Sequence, residues 1–456
     1  MKAPTLIAAL GMTSAVSACL LESERALELE YARTGVRRSI HPAPSSPHRR
    51  QTSSAFPIGT GDRFAGGCKK PVGLGVEERD LESVLSVAEV TSALRGLKRA
   101  YPNEVELFTA PVPTYEGREI HGAVVGDDPR VFIMSGIHAR ERGGPDNTIY
   151  FLADLLAARK AGTGVSYGAK NYTAEEVETA LSAGVIIIPL TNPDGVYHDQ
   201  TTDSCWRKNR NPESAVGAPN GRDIGIDLNR NYDFIWDFEK YFDTNLAAPA
   251  SNDPRSEVFC GTAPESEPET QAVVWTLEQY HNITWFMDLH SYGPSLLYAW
   301  GNDDAQTEDP EENFDNPAYD GLRGGVGPDD PDNIYREFFT AEDLKTEEVG
   351  TAQIVNAMLV AGDAPYEAYP AVGLYPTSGA SNDWAMSRAY GNPLCGSSRM
   401  FGYTMEFGAP SRASSACPFY PDSREFHRNV RQVGAGFMEM MLLAAGPAGD
   451  PVYPEC

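Results

Sequence analysis

Two short stretches carry residues able to hold a metal ion. His138 and Glu141 stand three apart in Ser135-Gly136-Ile137-His138-Ala139-Arg140-Glu141, directly after the apolar run 131–134. A turn after that run puts an imidazole nitrogen and a carboxylate on the same side, facing one cation. His290 closes a second apolar run, Trp285-Phe286-Met287-Asp288-Leu289, and precedes Ser291 and Tyr292. Two histidines and a glutamate with an open fourth position form a catalytic zinc set, which lowers the pKa of a bound water towards about 7. One Zn2+ ion is therefore the expected cofactor. No C-x-x-C pair offers a cysteine zinc site, and no H-E-x-x-H motif marks a common zinc endopeptidase. A lone strand-end histidine is more often a satisfied structural residue. The case therefore depends on the elements that bring these side chains together.

Those elements can be read from the apolar runs. Segments 131–134, 185–189, 284–289 and 401–407 are short, strongly apolar and flanked by turn residues, as buried strands are. Helical spacing of apolar residues appears over 88–97, 148–160, 266–280 and 425–445. Strands alternating with helices predict an α/β fold: a single large domain over 78–445, with a central mixed, mainly buried β-sheet flanked by helices. Residues 302–345, rich in Asp, Glu, Pro and Gly, read as an acidic surface insertion. Residues 20–77 are polar and broken by Pro, Ser, Gly and Arg, which predicts a linker or short pro-segment, and 446–456 form a C-terminal tail.

Further segments follow in order: Trp206-Arg207-Lys208-Asn209-Arg210, Ile226-Asp227-Leu228-Asn229-Arg230-Asn231, Ser266-Glu267-Pro268-Glu269-Thr270, the stretch 375–384, and Tyr403-Thr404-Met405-Glu406-Phe407. Together with the two metal-binding stretches they resemble the zinc metallocarboxypeptidases of the carboxypeptidase A/B (funnelin-like) type, over residues 78–445. The resemblance implies a zinc-dependent exopeptidase that hydrolyses the C-terminal peptide bond of peptides or proteins with a free terminal carboxylate. His138, Glu141 and His290 would hold the metal, and Asp227 would fix the tautomer of His138. Glu406 would be the general base and then the proton donor to the leaving amine. Arg207 would stabilise the oxyanion. Asn229 and Arg230 would clamp the terminal carboxylate, for which a planar guanidinium suits both oxygens, and Tyr375 would cap it. Arg140 would line the route to the cleft, with Ser291 and Tyr292 near the subsites upstream of the cut. Asn382 would sit at the base of the side-chain pocket, where a neutral amide favours neither basic nor apolar residues. The alternative reaction is a zinc amidase acting on cell-wall peptides or N-acyl amino acids.

A formal charge of −27 over 456 residues makes nucleic acid and anionic membranes poor partners. Peptide and protein C-termini are the expected partners, met by a monomer. Residues 1–19 combine Lys2, a short apolar stretch and small residues leading to Cys19, the pattern of an export signal. Val16-Ser17-Ala18-Cys19 resembles a bacterial lipobox, so the expected location is secreted or envelope-anchored through lipid at Cys19. Six cysteines then remain, an even number that suits disulfides in an exported protein. Proximity along the chain and nested order suggest Cys205–Cys260, Cys395–Cys417 and Cys68–Cys456, one of the 15 connectivities that six cysteines allow.

Overall fold

A computed structural model describes residues 20–35, 55–217, 221–327, 334–390, 396–411 and 417–453. The eight-stranded main sheet contains β1 (Val105–Thr109), β2 (His121–Val125), β3 (Val131–Ser135), β6 (Val185–Ile188), β7 (Trp285–His290), β8 (Ser295–Tyr298), β11 (Glu367–Pro370) and β12 (Phe401–Glu406). Their spatial order is β1-β2-β6-β3-β7-β12-β8-β11. The four central strands β6, β3, β7 and β12 are parallel, while β1, β2 and β8 join antiparallel, so the sheet is mixed as the sequence predicts. Every residue of those four strands is buried. Both faces being covered explains why they read as continuous apolar runs rather than alternating ones.

The helices are α1 (Glu22–Thr34), α2 (Val87–Ala100), α3 (Gly144–Ala161), α4 (Ala174–Ser182), α5 (Pro193–Thr202), α6 (Phe238–Tyr241), α7 (Pro268–Gln279), α8 (Ala341–Gly362), α9 (Ser381–Ser387) and α10 (Ser423–Ala445). Local chemistry fixes several starts. Ser86 with Glu89, and Asp422 with Glu425, form reciprocal capping boxes that satisfy the first free amides of α2 and α10. Side chains of β7 alternate across the sheet. Trp285 meets α8 at Gly350 on one face, and Asp288 meets α9 at Ser381 on the other. The face carrying α9 also carries His290. A Cβ on Gly402 would lie 2.0 Å from the Asn382 carbonyl oxygen, so glycine at that point of β12 lets α9 approach the sheet.

Two regions are more ordered than their composition suggests. In the acidic insertion, β9 (Ala305–Gln306) pairs in parallel with β10 (Glu337–Phe338). Arg323, Tyr335, Glu337 and Phe339 are buried there, with the Arg323 guanidinium donating to the Tyr335 hydroxyl. Between residues 55 and 77, Phe56, Phe64 and Leu74 pack with Val90, Ile149, Tyr150, Phe426 and Val430. A small hairpin, β4 (Val165–Tyr167) and β5 (Lys170–Tyr172), packs against α10 and α3.

The cysteine pairing differs from the expectation. Cys205 is bonded to Cys417, 212 residues away, so neither Cys205–Cys260 nor Cys395–Cys417 forms. Cys260 is a buried free thiol against the Ser251 carbonyl, and Cys68 is an exposed one; Cys19, Cys395 and Cys456 lie outside the described residues. Proximity in sequence misled because the Cys205 loop packs on the 417–420 segment, where the Cys205 amide donates to the Tyr420 hydroxyl.

Candidate metal centre and substrate cleft

The site is assembled at the C-terminal ends of β3, β7 and β12. Glu406 of β12 and His290 of β7 are direct partners in parallel register. His138 and Glu141 lie in the turn after β3, whose Ser135 pairs with Leu289. The three donor groups converge: His138 Nδ1 is 2.8 Å from one Glu141 oxygen, and His290 Nδ1 is 3.2 Å from the other. The two Nδ1 atoms are 3.1 Å apart. Ligand bonds of about 2.0 Å in a tetrahedral site put donor atoms about 3.3 Å apart, so the set fits one zinc ion. Among the described residues this is the one group of three or more His, Cys, Asp or Glu side chains close enough to share a metal. Burial pushes the Glu141 carboxyl up, but His138 and His290 outweigh it and hold the group well below the usual carboxylate range.

Around this centre the candidate residues are close-set and buried. Asp227 lies 2.9 Å from His138 Nε2 and accepts two bonds from the Arg207 guanidinium through its other oxygen. Desolvation opposes the charge on Asp227, yet Arg207 and then His138 hold its carboxyl far below the usual range. Arg207 also brings Nη1 to 3.3 Å from His138 Nδ1 and 3.9 Å from Glu141. Arg230 is fixed by donation to the Pro249 and Asn229 carbonyls, and its guanidinium lies 5.9 Å from the centre of the Tyr375 ring. Asn229 accepts from the Ser381 amide, which ties the clamp candidates to α9. Asn382 is buried and donates to Asp383, whose carboxyl is pushed up to about 8 by burial. The Ser291 amide donates to Glu141, and Tyr292 packs on Phe419 with ring centres 4.7 Å apart.

Arg140 has a partner that its sequence context did not announce. Glu24 of α1 receives a two-pronged bond from it, at 3.0 and 2.8 Å, while the guanidinium lies over the Phe419 ring. Arg25 lies over Tyr375, and Leu21 packs against the cluster of Tyr292, Cys417, Phe419 and Tyr420. The segment read as a linker therefore touches two residues expected to bind substrate, Arg140 and Tyr375, and packs on the cluster that contains a third, Tyr292. Nothing in a polar helix of this composition points to a partner so far along the chain. Asp288 was also missed, although an acid two residues before a strand-end histidine must share its face of the sheet. Gly164-Val165-Ser166-Tyr167-Gly168 has the letters of a serine nucleophile elbow. It forms a hairpin in which Ser166 bonds Asn171, not a strand-to-helix turn.

Comparison with known proteins agrees with this geometry. The profile of the zinc carboxypeptidase family matches residues 90–433. A zinc carboxypeptidase of Simulium vittatum is 33% identical over 221 residues, covering 48% of this chain and 64% of the relative. Carboxypeptidase O of Bos taurus is 31% identical over 205 residues, 44% of this chain and 48% of its own length. The matched stretches span between about a third and two thirds of the length of the curated relatives. Among solved structures, bovine thrombin-activatable fibrinolysis inhibitor in complex with tick carboxypeptidase inhibitor aligns over 79% of this chain and 98% of its own. Its TM-score is 0.55 at 21% identity. Carboxypeptidase A of Helicoverpa armigera aligns over 78% of this chain and 74% of its own, with a TM-score of 0.52 at 23% identity. At these identities the structural likeness speaks for the fold; the family match covers most of the sequence and contains all three metal-ligand candidates, and the chain belongs to the zinc carboxypeptidase family.

Proposed function

We propose that the protein is a metallo-exopeptidase that removes the last residue from peptides or proteins with a free C-terminal carboxylate. The observation that carries this reading is the convergence of His138, Glu141 and His290, with Glu406 beside His290 in the sheet and Arg207 against the same centre. Zinc held there would supply a water of lowered pKa and polarise the scissile carbonyl. Glu406 takes a proton from the attacking water and returns it to the leaving amine. Arg207 donates to the oxygen on which negative charge develops, in a site from which water is largely excluded. Asp227 holds the His138 ring so that Nδ1 faces the metal position.

Selection for a chain end falls to Arg230 and Asn229, which present donors to a carboxylate, with Tyr375 close enough to cover it. Asn382 contributes a neutral polar floor to the side-chain pocket, while Arg140, Ser291 and Tyr292 serve the residues upstream of the cut. Export through residues 1–19, lipid attachment at Cys19 and action as a monomer complete the reading. None of the described helices is long and apolar enough to cross a membrane.

The test uses purified, zinc-loaded protein and blocked peptides that differ in their last residue, each with a free or an amidated C-terminus. Mass spectrometry should show loss of one residue from the free acids only, abolished by a chelator and by Glu406→Gln. Cleavage of the amidated peptides would remove the carboxylate clamp from the reading and favour a broader amidase.

A further inference from the structure

We propose that Asp288 is a positioning residue for the metal ligand His290, and that Ser381 and Asn229 join it to Asp227 in one polar chain that braces both metal-binding histidines. The inference rests on the metal reading of His138, Glu141 and His290, and adds to it two residues that reading does not use, Asp288 and Ser381.

The chain can be followed atom by atom. His138 Nε2 lies 2.9 Å from Asp227 Oδ1. The same oxygen accepts the Asn229 amide at 3.1 Å. Asn229 Oδ1 accepts the Ser381 amide at 2.8 Å. The Ser381 hydroxyl donates to Asp288 Oδ2 at 2.7 Å. That oxygen lies 2.8 Å from His290 Nε2, off the axis of the N–H bond, so the contact is electrostatic in character. Each imidazole thus turns Nδ1 towards the metal position and Nε2 towards a carboxylate. The arrangement around His290 parallels the one around His138 in setting a carboxylate beside Nε2, with a hydrogen bond at His138 and a charge contact at His290.

Energetics point the same way. Asp288 is 0% exposed in a strand of apolar neighbours, where a carboxylate is costly unless its charge is compensated. Its Oδ1 has no hydrogen-bond partner among the described residues, and Oδ2 meets Ser381 and His290. A ligating imidazole is held in orientation, and made a better donor to the metal, by an acceptor at its other nitrogen. Asp288 is two residues from His290 on the same face of β7, opposite Thr404 of β12, directly below the Glu406–His290 pair. Ser381, the first residue of α9, sets where that carboxylate stands. Through Ser381 the brace also reaches Asn229, so the carboxylate-clamp candidate and the second metal ligand share one scaffold.

The test measures zinc affinity of the whole protein by chelator competition, alongside the melting temperature of the metal-free form. Asp288→Asn should weaken zinc binding about 10- to 100-fold, and Ser381→Ala several-fold, with the metal-free melting temperature moving far less than the affinity. Asp154→Asn, which removes a buried carboxylate on α3, should leave zinc affinity at the wild-type value. With cobalt(II) in place of zinc, the visible bands should shift in Asp288→Asn and not in Asp154→Asn. Wild-type affinity and an unshifted spectrum in Asp288→Asn would overturn the proposal. If that variant does not fold, wild-type affinity in Ser381→Ala overturns it instead. Failure of the unmodified protein to bind one zinc would sink the metal reading, a result distinct from either.

Discussion

Arg207 meets three groups at once: both of its bonds to Asp227 use one carboxylate oxygen, and its remaining nitrogen faces His138 and Glu141. The Nε and Nη2 nitrogens are thus held by Asp227, while Nη1 lies beside the metal position, where the proposed role as oxyanion donor would place it. Arg207→Lys retains the charge but not the fork, because an ammonium has no second edge to hold. We expect a fall of about 10²–10³ in kcat, the usual cost of losing an oxyanion donor, with KM changed much less. A variant that lost KM alone would place Arg207 in ground-state binding instead. Arg230→Lys should behave in the opposite sense. Its Nε and Nη1 are committed to the Pro249 and Asn229 carbonyls, so the expected loss is in KM for free-acid peptides. At this scale the metal-ligand candidates were legible from their place among several ordered segments, His138 and Glu141 in the turn after one apolar run and His290 at the end of another, since a lone strand-end histidine says little by itself. Asp288 was not, since an acid inside such a run carries no motif; only the neighbouring Ser381 and His290, distant or unpaired in sequence, give it meaning.

Among the elements, α1 is the one that lies against the substrate-binding candidates from outside the sheet's own connections. Its Glu24 carboxylate occupies the Arg140 guanidinium, and burial, which raises the Glu24 carboxyl, is outweighed by that partner, so the group is held below its ordinary range. A peptide that uses Arg140, Tyr292 and Tyr375 must displace this helix. Glu24→Ala should therefore raise kcat/KM on peptides long enough to reach Arg140 and leave dipeptide-sized substrates nearly unaffected. Equal rates for Glu24→Ala and wild type on the long peptides would show that the helix does not compete. The central strands were readable because burial on both faces leaves an unbroken apolar signal. By contrast, α8 begins Ala341-Glu342-Asp343-Leu344-Lys345, and its charged first turns merge with the acidic insertion before it. Thr340 accepts the Asp343 amide at its start, a cap that distinguishes the helix from the loop only once the boundary is known. The Cys205–Cys417 bond was equally hidden, because it depends on two loops that meet only after the sheet has formed.

For the molecule as a whole, several carboxyls are buried away from cations, and their titration should govern how stability varies with pH. Burial pushes Asp154 up to about 7, and Asp146, Glu269 and Asp383 up to about 8. A carboxyl raised in the folded state binds its proton more tightly there than in the unfolded chain. Its stabilisation is complete below the unfolded pKa and is lost as pH rises through the folded value. Glu141 and Asp227, held low, act in the opposite sense, but their window closes below about pH 4, near the unfolded carboxylate value. Between pH 5 and 8 the raised groups should dominate, and the net charge of −27 at pH 7 adds repulsion in the same direction. The metal-free protein should therefore lose stability steadily from pH 5 to pH 8 in urea unfolding. Metal must be absent, because zinc binds better as its ligands deprotonate and would tilt the profile the other way. Asp154→Asn removes one of these titrations while leaving an acceptor for the Gly75 amide and the Tyr167 hydroxyl. It should flatten the slope below pH 7 by up to about 1.4 kcal/mol per pH unit. A metal-free protein that grew more stable across this range, or a slope that Asp154→Asn left untouched, would mean that these carboxyls are ionised in the fold and find their compensation elsewhere.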